Sequence, residues 1–171
     1  MHAQSVPVLP TVVGGTQEPA AFWQRVPLSD MTTAQWEALC DRCGRCCLEK
    51  FVDRRNGKVQ YTDVPCAWLD PLSCTCRDYP DRRQRNPECV PLSPHTIHRC
   101  RWLPRTCAYR LLAEGRDLAW WHPLVSGCAD TVHGAGISLR GCPLHTAPVS
   151  PEDLAGHVVD WSIWSRRARP D

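Results

Sequence analysis

The sequence predicts a small, irregular α+β domain, and three features predict it. Thr32-Thr33-Ala34-Gln35 has the form of a capping box that starts a helix. Asn56-Gly57 lies between two strand-like runs and is a strong hairpin signal. The run Cys40-Asp41-Arg42-Cys43-Gly44-Arg45-Cys46-Cys47 packs thiols more densely than a hydrophobic core requires. At 171 residues the chain is long enough for one domain. We read residues 1–20, which are rich in Pro, Gly and small side chains, as a disordered segment. Residues 21–164 form the cysteine-cluster domain and residues 165–171 a basic tail.

Composition limits the function classes. A net charge of +2 gives no electrostatic case for nucleic acid. No stretch approaches a membrane-spanning length, so no membrane partner is expected. Residues 1–20 contain no Lys or Arg to begin a secretory signal. The expected location is therefore cytoplasmic, where free thiols serve metals or catalysis more often than disulfides. The Arg groups at 82–85 and 166–169 read as solvated surface.

Along the chain, the first helix carries Trp36, Leu39, Cys40 and Cys43 on one stripe. Gly44 ends that helix in a left-handed conformation and folds Cys46 and Cys47 back toward it. In a two-residue hairpin Arg55 faces Lys58, and continuing the register places Cys47 opposite Cys66. Cys74 and Cys76 have period-2 spacing and share a face if the segment is extended. Residues 80–104 contain Pro80, Pro87, Pro91, Pro94 and Pro104 and are expected to be irregular. Residues 107–115 read as a short helix closed by Gly115. A brief strand is expected at 137–139 and a turn or helix at 158–164. The eight Trp residues are expected to wall the thiols from water.

The 12 cysteines divide by context. Cys100, Cys128 and Cys142 are isolated and read as small buried hydrophobes. The 40–47 run reads as metal-ligating, and the domain as organised around a cysteine-ligated metal centre. Zinc and an iron–sulfur cluster both remain open. Cys40/Cys43 makes a zinc knuckle, whereas the opening C-x2-C-x2-C matches the first three ligands of a bacterial ferredoxin pattern. Nine clustered thiols also suffice for two tetrahedral zincs with one left over.

Residues 39–50 (LCDRCGRCCLEK), 74–79 (CTCRDY) and 102–115 (WLPRTCAYRLLAEG), with WHPL at 121–124 and VDW at 159–161, carry a family resemblance. They resemble the bacterial YcgN proteins of the CxxCxxCC group, related to the YkgJ-type zinc- or iron-chelating domain. The resemblance implies metal ligation by Cys40, Cys43, Cys46, Cys47, Cys66, Cys74, Cys76, Cys89 and Cys107. The implied partner is a metal ion or cluster, with any protein partner unknown.

Three functions stay open: a metal-binding protein with a structural and redox role, an enzyme using the cluster, and a zinc-built interaction module. His122 and His133 are the candidates for a ligand or proton shuttle. Asp41, Asp63 and Asp78 adjoin the thiols as candidate supports, and Arg42, Arg45 and Arg77 as charge partners. No P-loop, dinucleotide fingerprint or Ser–His–Asp signature is visible.

Overall fold

The computed structural model describes residues 21–161. The expectations for residues 1–20 and for the basic tail lie outside the described residues. In chain order the elements are α1 (Phe22–Arg25), a 3-10 turn (Leu28–Asp30), α2 (Thr33–Ala38), a 3-10 turn (Arg45–Cys47), β1 (Leu48–Val52) and β2 (Val59–Pro65). Then come β3 (Leu69–Asp70), β4 (Thr75–Cys76), α3 (Arg82–Arg85) and a 3-10 turn (Ile97–Arg99). The chain continues through α4 (Ala108–Ala113), α5 (Pro123–Ser126), α6 (Thr131–Gly134) and a last 3-10 turn (Leu154–His157). β1 pairs with β2, and β3 with β4, both antiparallel. The α+β expectation holds. No helix among the described residues is long and apolar enough to cross a membrane.

The capping box forms as expected. The Gln35 N–H donates to the Thr32 hydroxyl at 3.2 Å, and the Thr32 N–H to the Gln35 side chain at 3.0 Å. The helix is shorter than its apolar stripe, however, and stops at Ala38. The Asp41 carboxylate takes the Cys43 N–H at 3.1 Å, an Asx-type bond that competes with helix continuation. Arg42 then turns the chain at φ 56°. Cys40 and Cys43 are therefore loop residues rather than neighbours on a helical face.

The hairpin differs from expectation at its tip and agrees at its base. The Asp53 N–H bonds the Lys58 carbonyl at 2.8 Å, and the Asp53 carbonyl takes the N–H of Gly57 at 2.8 Å. The Asp53 carboxylate adds the Arg55 N–H at 2.9 Å, which favours a four-residue tip over the two-residue turn. Val52 thus faces Val59 and Lys50 faces Tyr61. A bulge in β2 then shifts the register, so that Leu48 faces Pro65. Thr62, fully buried, fills the bulge: its hydroxyl donates to the Glu49 carbonyl at 2.8 Å and accepts the Val64 N–H at 3.2 Å. With the register restored, the Cys66 N–H donates to the Cys47 carbonyl at 2.8 Å.

Three hydrophobic clusters form the core. One joins Phe22, Trp36, Leu39, Ile97, Cys100, Leu103 and Tyr109. The second joins Leu48, Leu69, Cys74, Leu139 and Trp161, and the third Cys43, Val132, Ala135 and Ile137. α4 ends as expected, with the Arg116 N–H on the Leu111 carbonyl at 2.9 Å and the Gly115 N–H on Leu112 at 3.0 Å. Residues 80–104 contain only α3 and one 3-10 turn. No strand forms at 137–139; that segment instead sends the Leu139 N–H to the Cys43 carbonyl at 2.9 Å. Val158 forms a bridge with Thr62, and the Val159 N–H donates to Tyr61 at 2.9 Å. Val158 and Val159 thus lie along the edge of β2, while Trp161 is helical and the rest of the turn or helix expected at 158–164 lies outside the described residues.

Gly44 shows how tight the packing beside the thiols is. Its φ is 77°, and a Cβ placed there would lie 3.3 Å from both the Cys74 Cβ and the Leu139 Cδ1. Gly57 has a similar φ of 68° but open space around it. Gly57→Ala is expected to cost about 1 kcal/mol and Gly44→Ala about 2 kcal/mol or more, the difference coming from crowding. Urea unfolding of the two variants checks this, and equal losses would remove the packing argument.

Candidate functional site

Every cysteine is a free thiol. The fold sorts the nine expected ligands into two neighbourhoods and one outlier. In the first, Cys43 is buried against Val132 and Ile137, and Cys46 and Cys107 pack on the Trp36–Tyr109 cluster. The Tyr109 hydroxyl donates to the Trp36 carbonyl at 3.0 Å, which clamps the start of α4, with Cys107 as its N-cap, beside the end of α2. Cys40 lies at the exposed side of this group. Burial pushes the Cys107 thiol up to about 12, with Asp41 and Cys40 adding to it. Burial likewise holds the Cys43 thiol well above its usual value, helped by Asp41, Cys107 and Cys40.

The second neighbourhood gathers Cys47, Cys66, Cys76 and Cys89. Cys66 bonds Cys47 through the backbone, and the Leu69 N–H donates to the Cys66 carbonyl at 2.9 Å. Leu69 in turn faces Cys76 across the β3–β4 ladder. The Asn86 amide donates to Cys66 Sγ at 3.5 Å, while its carbonyl accepts the Cys89 N–H at 3.0 Å. Burial raises the Cys89 thiol, Arg82 opposes that, and Cys47, Cys66 and Cys76 reinforce it.

Cys46 and Cys47 are where the neighbourhoods meet, with Sγ atoms 3.9 Å apart. One of the pair ionises far more readily. The hydrogen bond from Cys46, with Lys50 and Arg82 nearby, lowers Cys47 to about 7, whereas Cys46 is driven well above its usual value. Lys50 is held in place by donating to the Cys46 carbonyl at 3.0 Å and by lying 4.9 Å above the Trp102 ring. Arg82 lies 3.9 Å over Tyr79 and donates to the Tyr79 carbonyl at 2.6 Å. Sequence reasoning read Arg82 as solvated surface and passed over Lys50, because no local signal ties either to a thiol distant along the chain.

Cys74 does not join Cys76. Its φ of 55° breaks the extended geometry that period-2 spacing needs. Its Sγ–H points to the Pro71 carbonyl at 3.6 Å, within the cluster of Leu48, Leu139 and Trp161. Its thiol neighbour is Cys142, whose own thiol is raised by burial, opposed by Arg45 and reinforced by Cys74. Cys100 is a buried hydrophobe as expected, but Cys128 is exposed. Among the described residues, no three His, Cys, Asp or Glu side chains converge tightly enough to hold a metal ion.

The expected supports divide as well. Asp41 is buried; its Oδ1 accepts the Cys43 N–H and its Oδ2 has no hydrogen-bond partner. Buried Arg45 donates to the Gly136 carbonyl at 3.2 Å and lies 5.8 Å over the Trp161 ring. Asp63 bonds the His157 ring at 2.9 Å and Asp78 pairs with Arg85 at 2.8 Å, so each carboxylate is engaged by a side chain other than a thiol. Trp36 and Trp161 are buried as the wall expectation requires, but Trp120 is 57% exposed.

Comparison with known proteins places this geometry in a family. A UPF0260 protein of Rhodopseudomonas palustris (strain HaA2) is 50% identical over 150 residues, covering 86% of this chain and 88% of that relative. Another, from Gluconacetobacter diazotrophicus, is 54% identical over 140 residues, covering 82% and 86%. The chain belongs to the UPF0260 family. A further UPF0260 protein, from Allorhizobium ampelinum, is 50% identical over 148 residues, covering 86% and 92%. No family model matches the chain, and no solved structure matches it.

In this UPF0260 chain the two candidate histidines serve the fold. His122 is 2% exposed; its Nδ1 accepts the Leu124 N–H at 3.1 Å, capping α5, and its Nε2–H donates to the Leu39 carbonyl at 3.0 Å. Both ring nitrogens are therefore occupied. His133 Nδ1 pairs with the Ser138 hydroxyl at 2.7 Å. His122→Ala removes a cap and a buried hydrogen bond and is expected to cost about 2–4 kcal/mol, whereas His122→Asn, which can still cap, loses about half of that. Urea midpoints for both variants check this.

The Cys46–Cys47 pair gives a pH prediction for the reduced protein in the presence of a chelator. Cys47 is held below the usual thiol range, so its thiolate, and the stability that goes with it, persists above the unfolded value and is lost as pH falls through about 7. Alkylation of Cys47, followed by peptide mass spectrometry, is expected to rise with a midpoint near there. Lys50→Met should move that midpoint upward, and an unmoved midpoint would show that Lys50 has no role in it.

Proposed function

We propose that this chain is a cysteine-ligated metal-binding protein, holding zinc or an iron–sulfur cluster in a structural role with redox capacity. The observation that supports this is the set of ties between distant cysteines: Cys46 and Cys47 have Sγ atoms 3.9 Å apart, Cys46 and Cys107 pack on one cluster, the Cys66 N–H bonds the Cys47 carbonyl, and Asn86 links Cys66 to Cys89. Thiols packed for hydrophobicity alone have no reason to be collected in this way. Thiolates are soft donors that suit zinc and iron–sulfur clusters. Burial raises most of these thiols, so bare thiolates are costly there, and a bound cation would supply the missing positive charge. The buried, unpartnered Oδ2 of Asp41 fits the same need for a cation beside Cys43 and Cys107.

The resemblance to the YcgN-type chelating proteins supports the same reading. So does the absence of disulfides among the twelve cysteines, which suits a reducing cytoplasmic setting. When bound, the metal would cross-link the loops bearing Cys89 and Cys107 to the hairpin base, turning metal affinity into folding free energy. The chain's own part is to hold the loops in place, to exclude water with Leu39, Leu48 and Leu139, and to balance thiolate charge with Arg45, Lys50 and Arg82.

The test is anaerobic purification with zinc, iron and acid-labile sulfide counted per chain, beside an absorption spectrum. Bound zinc without colour, or iron with matching sulfide and a visible band, is the expected result. A folded chain that holds neither, and takes up neither on reconstitution, would overturn the reading.

A further inference from the structure

We propose that Asn86 is a positioning residue that aims the Cys66 sulfur and ties the Cys89 loop to the hairpin base for metal ligation. The assignment rests on the metal reading above and adds to it a residue that ligates nothing itself.

Asn86 precedes Pro87, and a residue before proline is driven toward extended backbone. It accordingly ends α3 at φ −136° and ψ 101°, with its N–H on the Arg82 carbonyl at 2.8 Å. Every other polar group it carries is also used. Its carbonyl accepts the Cys89 N–H at 3.0 Å, and its side-chain oxygen accepts the Glu88 N–H at 3.0 Å. Its side-chain nitrogen donates to the Cys66 sulfur at 3.5 Å. The Glu88 bond decides which way the amide faces. An N–H needs an acceptor, so the oxygen lies on that side and the NH2 group lies toward the sulfur. An NH2 group only donates, so the Cys66 sulfur is the acceptor.

The turn alone does not call for asparagine. Holding the Glu88 N–H takes one side-chain oxygen, which Asp and Ser supply as well. Asparagine adds a donor on the same rigid group, and that donor is spent on a sulfur 20 residues away in sequence.

The Cys66 main chain is fixed independently. Its N–H lies on the Cys47 carbonyl at 2.8 Å, and its carbonyl takes the Leu69 N–H at 2.9 Å. Asn86 contributes the direction of the side chain: one lone pair of the sulfur faces the amide, and the others are left for a cation. An N–H on a ligating thiolate also draws off part of its charge, the effect by which such bonds tune metal–sulfur centres. In a stretch with little regular structure, the same residue holds the Cys89 loop beside Cys66.

The experiment uses the full chain, reduced anaerobically, with Co2+ as the probe metal and two variants. Asn86→Asp keeps the length and the turn oxygen but has no N–H to give. Asn86→Ser keeps a neutral turn oxygen and is too short to reach the sulfur. Both are expected to hold Co2+ about 10–100-fold more weakly against a competing chelator, the usual cost of losing a group that orients a ligand. The circular dichroism of the metal-free chains should be unchanged. The sulfur-to-cobalt charge-transfer band should move to longer wavelength, a shift that a defect in the turn would not produce. In the metal-free chain, the donating Asn86 amide proton should resonate downfield in the wild type and return toward its ordinary position in Cys66→Ala.

Unchanged affinity and band position in Asn86→Ser, or an Asn86 resonance indifferent to Cys66→Ala, overturns the assignment and leaves the metal reading intact. Weakening in Asn86→Asp alone is the effect of added charge and overturns it in the same way. A folded wild-type chain that takes up no cobalt, zinc or iron overturns both.

Discussion

Three carbonyls in one short loop hold the molecule together. Leu39 accepts from the His122 ring, Cys43 from the Leu139 amide, and Cys47 from the Cys66 amide. Each donor comes from a different part of the chain, and each bond is local to a buried cluster. The loop between α2 and β1 has no regular structure before its 3-10 turn, so these bonds provide the fixed reference that a helix or sheet would otherwise give. The clusters around Trp36, around Leu48 and around Val132 all touch this loop. Removing the His122 ring leaves the buried Leu39 carbonyl without that partner, a larger loss than the net value of the bond.

Charge is arranged around the same loop. Arg45 is buried where an apolar side chain would ordinarily sit. Burial lowers its affinity for a proton, while Cys43, Cys142 and Asp41 restore it. Lys50 is likewise lowered by burial and supported by Cys46 and its neighbours. Two largely desolvated cations beside a set of thiols are costly unless the thiols carry negative charge. The cations and the thiols therefore make sense only as a unit.

Much of this was legible from local signals. The capping box, the end of α4 at Gly115 and the left-handed Gly44 all follow from chemistry within a few residues. The Cys47–Cys66 pairing was also expected, although the hairpin reaches it by a different route. Asp53 lengthens the tip, and the Thr62 bulge compensates, and neither could be weighed from alternation alone. What stayed hidden depends on segments distant in sequence. The short α2 reflects an Asp41 bond that competes with the helix, and the positive φ of Cys74 defeats an otherwise reasonable period-2 argument. The placement of Arg82 near Cys47, and of 158–159 along β2, comes from tertiary packing that no local pattern encodes.

The return of Val158–Val159 to the hairpin, with Trp161 against Leu139, also sets an order of events during synthesis. Ribosomes extend a chain by about 5–20 residues per second, so Cys107 precedes Trp161 by roughly 3–10 s. During that interval every residue of both thiol neighbourhoods already exists, while the wall of Ile137, Leu139 and Trp161 is still incomplete. The nascent chain therefore offers its cysteines to the surrounding solution before it is able to shelter them. Whatever reaches them first, cation or oxidant, acts on a chain that has not yet closed.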